Sequence, residues 1–529
     1  MGRGQRSGPG GWRTAVSVHE LARRLAIGEN DMHAEPVTND ANDPLISVLI
    51  YNYDGKYLRK CLDSVFGQNV LENLEVICLD DATTDGSWDV ALEFAEKHKS
   101  LISLCRNRRA WGADINASIG REMARGRYFV ALTSDNKFDP EYIRTCVRTM
   151  ESDPHARFTN MGRVRDVPTL PSIEEGPLVS ILCYNYNYGR YLRQALDSLF
   201  TQTYQNIEVC FSDNASTDES WKIALEFARR YPDKMNLIRN RRNFGADANF
   251  KNCMRMMRGK YHINFRSFDV MEPEYVERCV QVLDAHPHVG LVLVHGAALD
   301  ENGQRTEEPP FYNRSCIIPG HEQAAVYMTA SVNSSNSQVM YRRDVTSGRG
   351  PTGFLVTRYY GTRLLDFEVS LEFDVAYIKD PLLLHREHRH NDASQTDSLL
   401  LPLIGTFVLN HQLADMAAVN GARKAVSRMP EALDLLARQA VQNSVRSLRA
   451  QDEQVALRYF HLAKAMCSRV ATDPVWQELQ RYWDADAEEK AKIVGRWAGR
   501  ADPVPIVSCD PPPGSTPLDS FARRCVGGE

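Results

Sequence analysis

Two short stretches carry acidic residues just after an apolar run: "LTSDNKFDPEY" at 132–142 and "FRSFDVMEPEY" at 265–275. They lie 133 residues apart and share Ser, Asp, Pro, Glu and Tyr, but their acids are displaced, Asp135 aligning with Phe268 and Asn136 with Asp269. A carboxylate in such a turn suits a divalent cation, Mg2+ or Mn2+, shared with phosphate oxygens. Further candidates fall at strand ends. Tyr184, Asn185 and Tyr186 close "PLVSILCYNY", and Asp213 and Asn214 lie in "IEVCFSDNASTD". Earlier in the chain Tyr51, Asn52, Asp80 and Asp81 take the same places. An Asp or Asn there can accept from a ligand N–H and a Tyr can pack on a flat ring; the plain alternative for each is a turn cap after a strand.

These positions belong to a duplicated unit. "PLISVLIYNY", "YLRKCLDSVFGQ" and "LEVICLDD" return as "PLVSILCYNY", "YLRQALDSLFTQ" and "IEVCFSDN". "RNRRAWGADIN" (106–116) returns as "RNRRNFGADAN" (239–249) with eight of eleven positions identical, and "GRYFV" (126–130) as "GKYHI" (259–263). Short apolar runs alternate with helical spacings, so each copy reads as an α/β unit with a mainly parallel sheet covered by helices. Residues 1–43 read as a flexible leader with one short helix, 44–159 as a truncated copy one, and 160–177 as a linker. Residues 178–398 read as a complete copy two, 399–500 as a helical domain and 501–529 as a Pro-rich tail.

Composition narrows the function classes. With 63 basic and 68 acidic residues the formal charge is −5, so no global field draws in nucleic acid. The longest apolar run, "LLLPLIGTFVL", is too short to span a membrane, and the N-terminus lacks the apolar core of a signal peptide. Twelve cysteines without a CxxC pair read as buried thiols in a reducing compartment, pointing to the cytoplasm.

Taken in order and found twice, these motifs resemble family 2 glycosyltransferases of the GT-A fold, nucleotide-diphospho-sugar transferases built on a Rossmann-like sheet. The resemblance covers about 45–153 and 178–395. It implies transfer of a sugar from a nucleotide-diphosphate donor, use of Mn2+ or Mg2+, and an inverting mechanism. The acceptor is left open among glycan, peptide and small molecule, with the helical domain offering a route to oligomers. Nucleotide binding would fall to Tyr184, Asn185, Tyr186, Asp213, Asn214 and Asp247, with Tyr51, Asp80, Asp81 and Asp135 as the copy-one counterparts.

The family's Asp-x-Asp signature is broken in both copies. Copy one keeps only its second Asp, Asp135; copy two keeps only the following Asp269 and places Arg266 nearby. Asp269 and His388 are the implied metal ligands, and Arg266 and Arg386 the implied diphosphate partners. A guanidinium at 266 would let copy two work with little or no metal. "LLDFEVSLEF" makes Asp366 the candidate base, against the bland reading of a first-turn carboxylate. The histidines of "LLLHREHRHNDAS" read either as a metal cluster or as a solvated loop. Catalysis is expected in copy two, because copy one lacks a counterpart of Asp366. The competing readings are catalysis in copy one, or an inactive pair that binds or scaffolds.

Overall fold

Apolar runs bounded by turn residues become strands covered on both faces. β1 (Ile46–Asn52), β2 (Leu74–Asp80) and β6 (Ile207–Asp213) are buried at all seven of their positions, as a helix-covered parallel sheet requires. With β3 (Ile102–Arg106) and β4 (Tyr128–Thr133), copy one has the order β3-β2-β1-β4, all parallel. β5 (Val179–Asn185), β7 (Met235–Arg239) and β8 (Tyr261–Arg266) give copy two the matching order β7-β6-β5-β8. This computed structural model describes residues 46–52, 56–68, 74–138, 140–144, 146–147, 176–346, 363–387, 400–498 and 508–518.

Helical spacing does what the pattern implies. The helix Gly189–Phe200 buries Leu192, Ala195, Leu196 and Leu199 on one face. Leu58–Phe66 buries Leu58, Cys61, Leu62 and Val65 in the same way. Each such buried Leu is worth roughly 1.5–3 kcal/mol. The Gly of the repeated "G-[RK]-Y" is a packing requirement: a Cβ on Gly126 would stand 2.6 Å from Ser47 N, and one on Gly259 would stand 2.7 Å from Ser180 N.

The two copies are joined edge to edge. β3 runs antiparallel to β7, pairing Leu104 with Arg239, Cys105 with Ile238 and Arg106 with Leu237. Because Cys105 and Ile238 are equivalent positions, the seam has the pattern of a twofold axis passing through that pair, as in an isologous dimer interface. Its side chains obey the same symmetry. Arg108 Nε lies 2.9 Å from Glu208 Oε2, and Arg241 Nε lies 3.2 Å from Glu75 Oε2. The backbone N–H of Arg108 donates to Asn236, and that of Arg241 donates to Ser103. Arg258 stacks over Trp111 at 4.5 Å, and Arg125 over Phe244 at 4.0 Å. The most closely repeated motif, "RNRR", thus builds the seam between the copies.

Copy two continues where copy one stops. β13 (Val339–Arg342) runs antiparallel to β8, and β10 (Val289–Leu299) antiparallel to β13. β14 (Asp374–Arg386) lies parallel to β10 and antiparallel to β12 (Cys316–Ile318). β9 (Val270–Met271) pairs with β14, β11 (Arg305–Thr306) with β10, and β15 (Thr516–Pro517), from the Pro-rich tail, with β12. Among the described residues all fifteen strands form one sheet. The C-terminal region is helical as expected, with helices at Leu401–Val419, Arg423–Ser427, Met429–Arg449, Glu453–Met466, Pro474–Asp484 and Ala487–Ala498. Leu409, Leu413 and Ala417 enter the same core as Tyr327 and Phe367 of copy two. Among the described residues no helix is long and apolar enough to cross a membrane, and the described cysteines are unpaired.

Candidate functional site

The turn after β8 is organised around one carboxylate. Asp269 is fully buried and receives five hydrogen bonds. Arg266 donates through Nε at 2.8 Å and Nη2 at 2.9 Å. The Ser335 and Ser337 hydroxyls donate at 2.6 and 2.7 Å, and the Arg386 backbone N–H at 3.0 Å. Burial alone would raise the Asp269 pKa; the Arg266 guanidinium and the serine hydroxyls outweigh it and hold the carboxyl below its ordinary range. Both oxygens are therefore engaged by protein donors, and Asp269 does not fit the role of a metal ligand in this arrangement.

Tyr184, Arg266 and Arg386 gather at this hub. Tyr184 is bonded to Asn336, between the two serines, and burial raises its pKa; its ring meets Phe250 edge-on at 5.5 Å. The Arg386 guanidinium donates to Phe268 O, Asp300 O and the Gln194 amide at 3.0, 2.9 and 2.6 Å, and it stacks over Tyr191. Its charge holds β14 to the turn, and burial lowers its pKa. His388 lies outside the described residues.

The remaining rim positions hold loops in place. Asp213 accepts from Asn185 Nδ2 at 3.0 Å, from Ser216 Oγ at 2.6 Å and from Ser216 N at 2.9 Å; burial raises its pKa above the usual value. Asn214 bonds Asn240, Asn243, Phe244 N and Gly245 O, and so fixes the turn that opens the helix Ala246–Met256. Asp247 in its first turn pairs with Lys251 at 3.0 Å. Tyr186 stands exposed at the rim.

Copy one repeats the plan. Asp80 accepts from Asn52 at 2.7 Å and from Thr83, and Asp81 from Asn107, Trp111 N and Gly112 N at 2.8, 2.8 and 2.9 Å. Tyr51 is buried, which pushes its pKa up to about 12. Asp135 differs from Asp269: it is exposed, and among the described residues its hydrogen bonds are to neighbours in its own turn, Thr133 and Asn136.

Asp366 sits apart from the hub, fully buried in the helix Arg363–Ser370, where it accepts from Tyr341 Oη. β13 connects the two places, since Ser335 and Ser337 precede it and Tyr341 lies within it. The helix also carries Arg363, bonded to Asn410 of the helical region at 3.0 Å. Here copy two and the helices enclose a cavity of about 360 Å³, lined by Arg363, Asn410, Gln439, Asn443, Arg446 and Tyr459. Sequence reasoning assigned no role to Ser335, Asn336, Ser337 or Gln194. Within the Asn/Ser run at 331–337 lies a capping box between Ser335 and Gln338.

The sequence profile described as Glycosyl transferase family 2 matches residues 46–167 and 179–349. "Putative glycosyltransferase EpsE" of Bacillus subtilis (strain 168) is 32% identical over 133 residues, 25% of this chain and 48% of that protein. "Uncharacterized protein Rv1520" of Mycobacterium tuberculosis is 28% identical over 215 residues, 40% of this chain and 59% of that protein. The matched parts thus span about half of those relatives' lengths. Among solved structures, the mannosyltransferase PcManGT from Pyrobaculum calidifontis, in complex with GDP-Man and Mn2+, aligns with TM-score 0.36 and 14% identity, over 61% of this chain and 85% of that one.

Proposed function

Because the chain belongs to glycosyl transferase family 2, we propose that it transfers a sugar from a nucleotide-diphosphate donor, with inversion, and that copy two houses the reaction. The observation that carries this reading is the asymmetry of the sheet. Beyond β8, copy two adds β13, β10 and β14, the Ser335–Ser337 turn and the helix bearing Asp366. Among the described residues β4 is the last strand of copy one. Ligands of open α/β sheets bind beyond the carboxyl ends of the strands, and copy two has a wall there for a donor to lie against.

In this reading the exposed Tyr186 and the half-buried Tyr184 flank the nucleotide. Asp213 and Asn214 act on it through the loops they hold. Arg266 faces the diphosphate; its Nε and Nη2 are committed to Asp269, leaving Nη1 to donate to a phosphate oxygen. Asp269 keeps that guanidinium in place, and no step is assigned to a metal there. Asp366, on the same helix as Arg363 but not itself among the cavity's lining residues, is assigned the acceptor's proton, and the cavity beside Arg363 is assigned to the acceptor. That cavity is rich in amides and carries two arginines without a carboxylate, a lining suited to hydroxyl-rich or anionic acceptors.

One observation favours the second reading, a pair that binds without turnover: Asp213, Asn214 and Asp269 are all satisfied by internal partners. A thermal-shift screen of UDP-, GDP- and dTDP-sugars separates the readings when paired with product analysis. The proposal expects stabilisation by one nucleotide class, donor turnover, and unchanged donor affinity when Mg2+ is exchanged for EDTA. Stabilisation without turnover favours the binding pair.

A further inference from the structure

We propose that Glu308, His385 and Glu387 form a binding site for a divalent transition-metal ion, Zn2+ by ligand preference, on the face of β14 turned away from Arg386. Residues two apart on a strand share a face. His385 and Glu387, the latter one residue past the end of β14 but still bonded through its N–H to Leu299 O, therefore point together, while Arg386 between them turns to Phe268, Asp300 and Gln194. Glu308, from the segment after β11, meets them, and one ligand atom from each of the three lies within 4.8 Å of the others.

The imidazole is what marks this as a ligand site. His385 is 4% exposed and its Nδ1 has no hydrogen-bond partner. Its Nε2 stands 3.8 Å from Glu308 Oε2, too far for a hydrogen bond. Two ligands that each sit about 2.0–2.2 Å from one Zn2+ are separated by roughly 3.4 Å at a tetrahedral angle, and by more at wider angles. Among the described residues neither ring nitrogen of the buried imidazole has a hydrogen bond, a costly state; a cation between Nε2 and the carboxylate would give Nε2 a partner, while Nδ1 stays turned to Gly296.

The surroundings hold the group in place. His295 Nε2 donates to Glu308 O at 2.9 Å, fixing that residue's backbone against β10. A Cβ at Gly296 would come within 3.3 Å of His385 Nδ1, so glycine makes room for the ring. The neighbouring Arg305 is committed elsewhere, 2.6 Å from both Glu272 and Glu307. Among the described residues neither Glu308 nor Glu387 pairs with a lysine or arginine, so the two carboxylates lack a cation. An imidazole beside two carboxylates selects Zn2+ over Mg2+. A bound ion would staple the Glu308 segment to the end of β14, whose Arg386 N–H caps Asp269. The site stands independently of the transferase reading.

The test uses the full chain without an affinity tag, stripped with EDTA and titrated with ZnCl2 by calorimetry, beside Glu308→Gln, His385→Ala and Glu387→Gln. Glu387 is exposed, so its substitution leaves the fold intact, which circular dichroism verifies. The expected result is one ion per chain whose affinity falls more than about tenfold in each variant, with thermal stabilisation by Zn2+ in the parent alone. Equal Zn2+ stoichiometry and affinity in parent and Glu387→Gln overturns the proposal. Equal stabilisation of the parent by MgCl2 overturns the assignment to an imidazole-selected ion.

Discussion

Replacing Arg241 by Met removes the charge facing Glu75 while keeping most of the side chain's apolar stem. Glu75 is 2% exposed, so it loses its compensating charge in a place water does not reach, as the fully buried Glu208 does when Arg108 is replaced. Breaking a buried pair from one side costs about 3–5 kcal/mol. Here the stranded carboxylates keep other donors: Glu75 still accepts from Ser47 Oγ and Arg125 N, and Glu208 from Ser180 Oγ and Arg258 N. The lower end applies, about 3 kcal/mol each. The symmetry of the seam adds a sharper expectation, that Arg108→Met and Arg241→Met cost the same to within about 1 kcal/mol. The control is Arg59→Met, whose partner Glu93 is 60% exposed at its side chain, so that solvent screens the pair and no measurable loss is expected. Urea unfolding with unchanged slope measures all three. A seam variant no more costly than Arg59→Met would refute the claim that these pairs hold the copies together.

Two further perturbations follow from buried titratable groups. Burial lowers the His262 pKa from 6.5 to about 4, where the ring bonds Thr346 and stacks on Tyr341 at 5.2 Å; Arg343 nearby acts in the same direction. The unfolded chain then binds the extra proton, so stability is full above pH 6.5 and falls as pH drops towards 4, by about 3 kcal/mol in all. Urea unfolding at pH 7.5 and 4.5 should show this loss in the parent and a smaller one in His262→Gln; equal losses count against it. Asp269→Asn should cost about 2–4 kcal/mol whether or not Mn2+ is present, because the carboxylate serves internal donors. Unchanged stability together with lost Mn2+-dependent donor binding would show a metal ligand instead.

The α/β class, the tandem units and the helical region were legible because each rests on local signals. Apolar runs such as "PLISVLI" and "PLVSILC", and the spacing of Leu192, Leu196 and Leu199, carry their own period. The seam was not legible. "RNRR" sits before a helix in both copies, and nothing local says that Arg108 finds its glutamate at position 208 and Arg241 at position 75. The hub was half legible: Asp269, Arg266 and Arg386 stood out by type. Their mutual saturation depends on Ser335 and Ser337, 66 and 68 residues further along. A carboxylate in a turn has the same sequence signature whether it faces a ligand or a protein donor. Only tertiary contacts separate Asp135, exposed, from Asp269, enclosed.

The reading of copy two as the transferase is tested most directly by donor turnover in Asp366→Asn beside Asp135→Asn, both verified as folded. The account predicts a loss of about 10²–10⁴-fold in the first, the range for a general base, and near-parent turnover in the second. Turnover that survives Asp366→Asn and is abolished by Asp135→Asn would place the chemistry in copy one and contradict it.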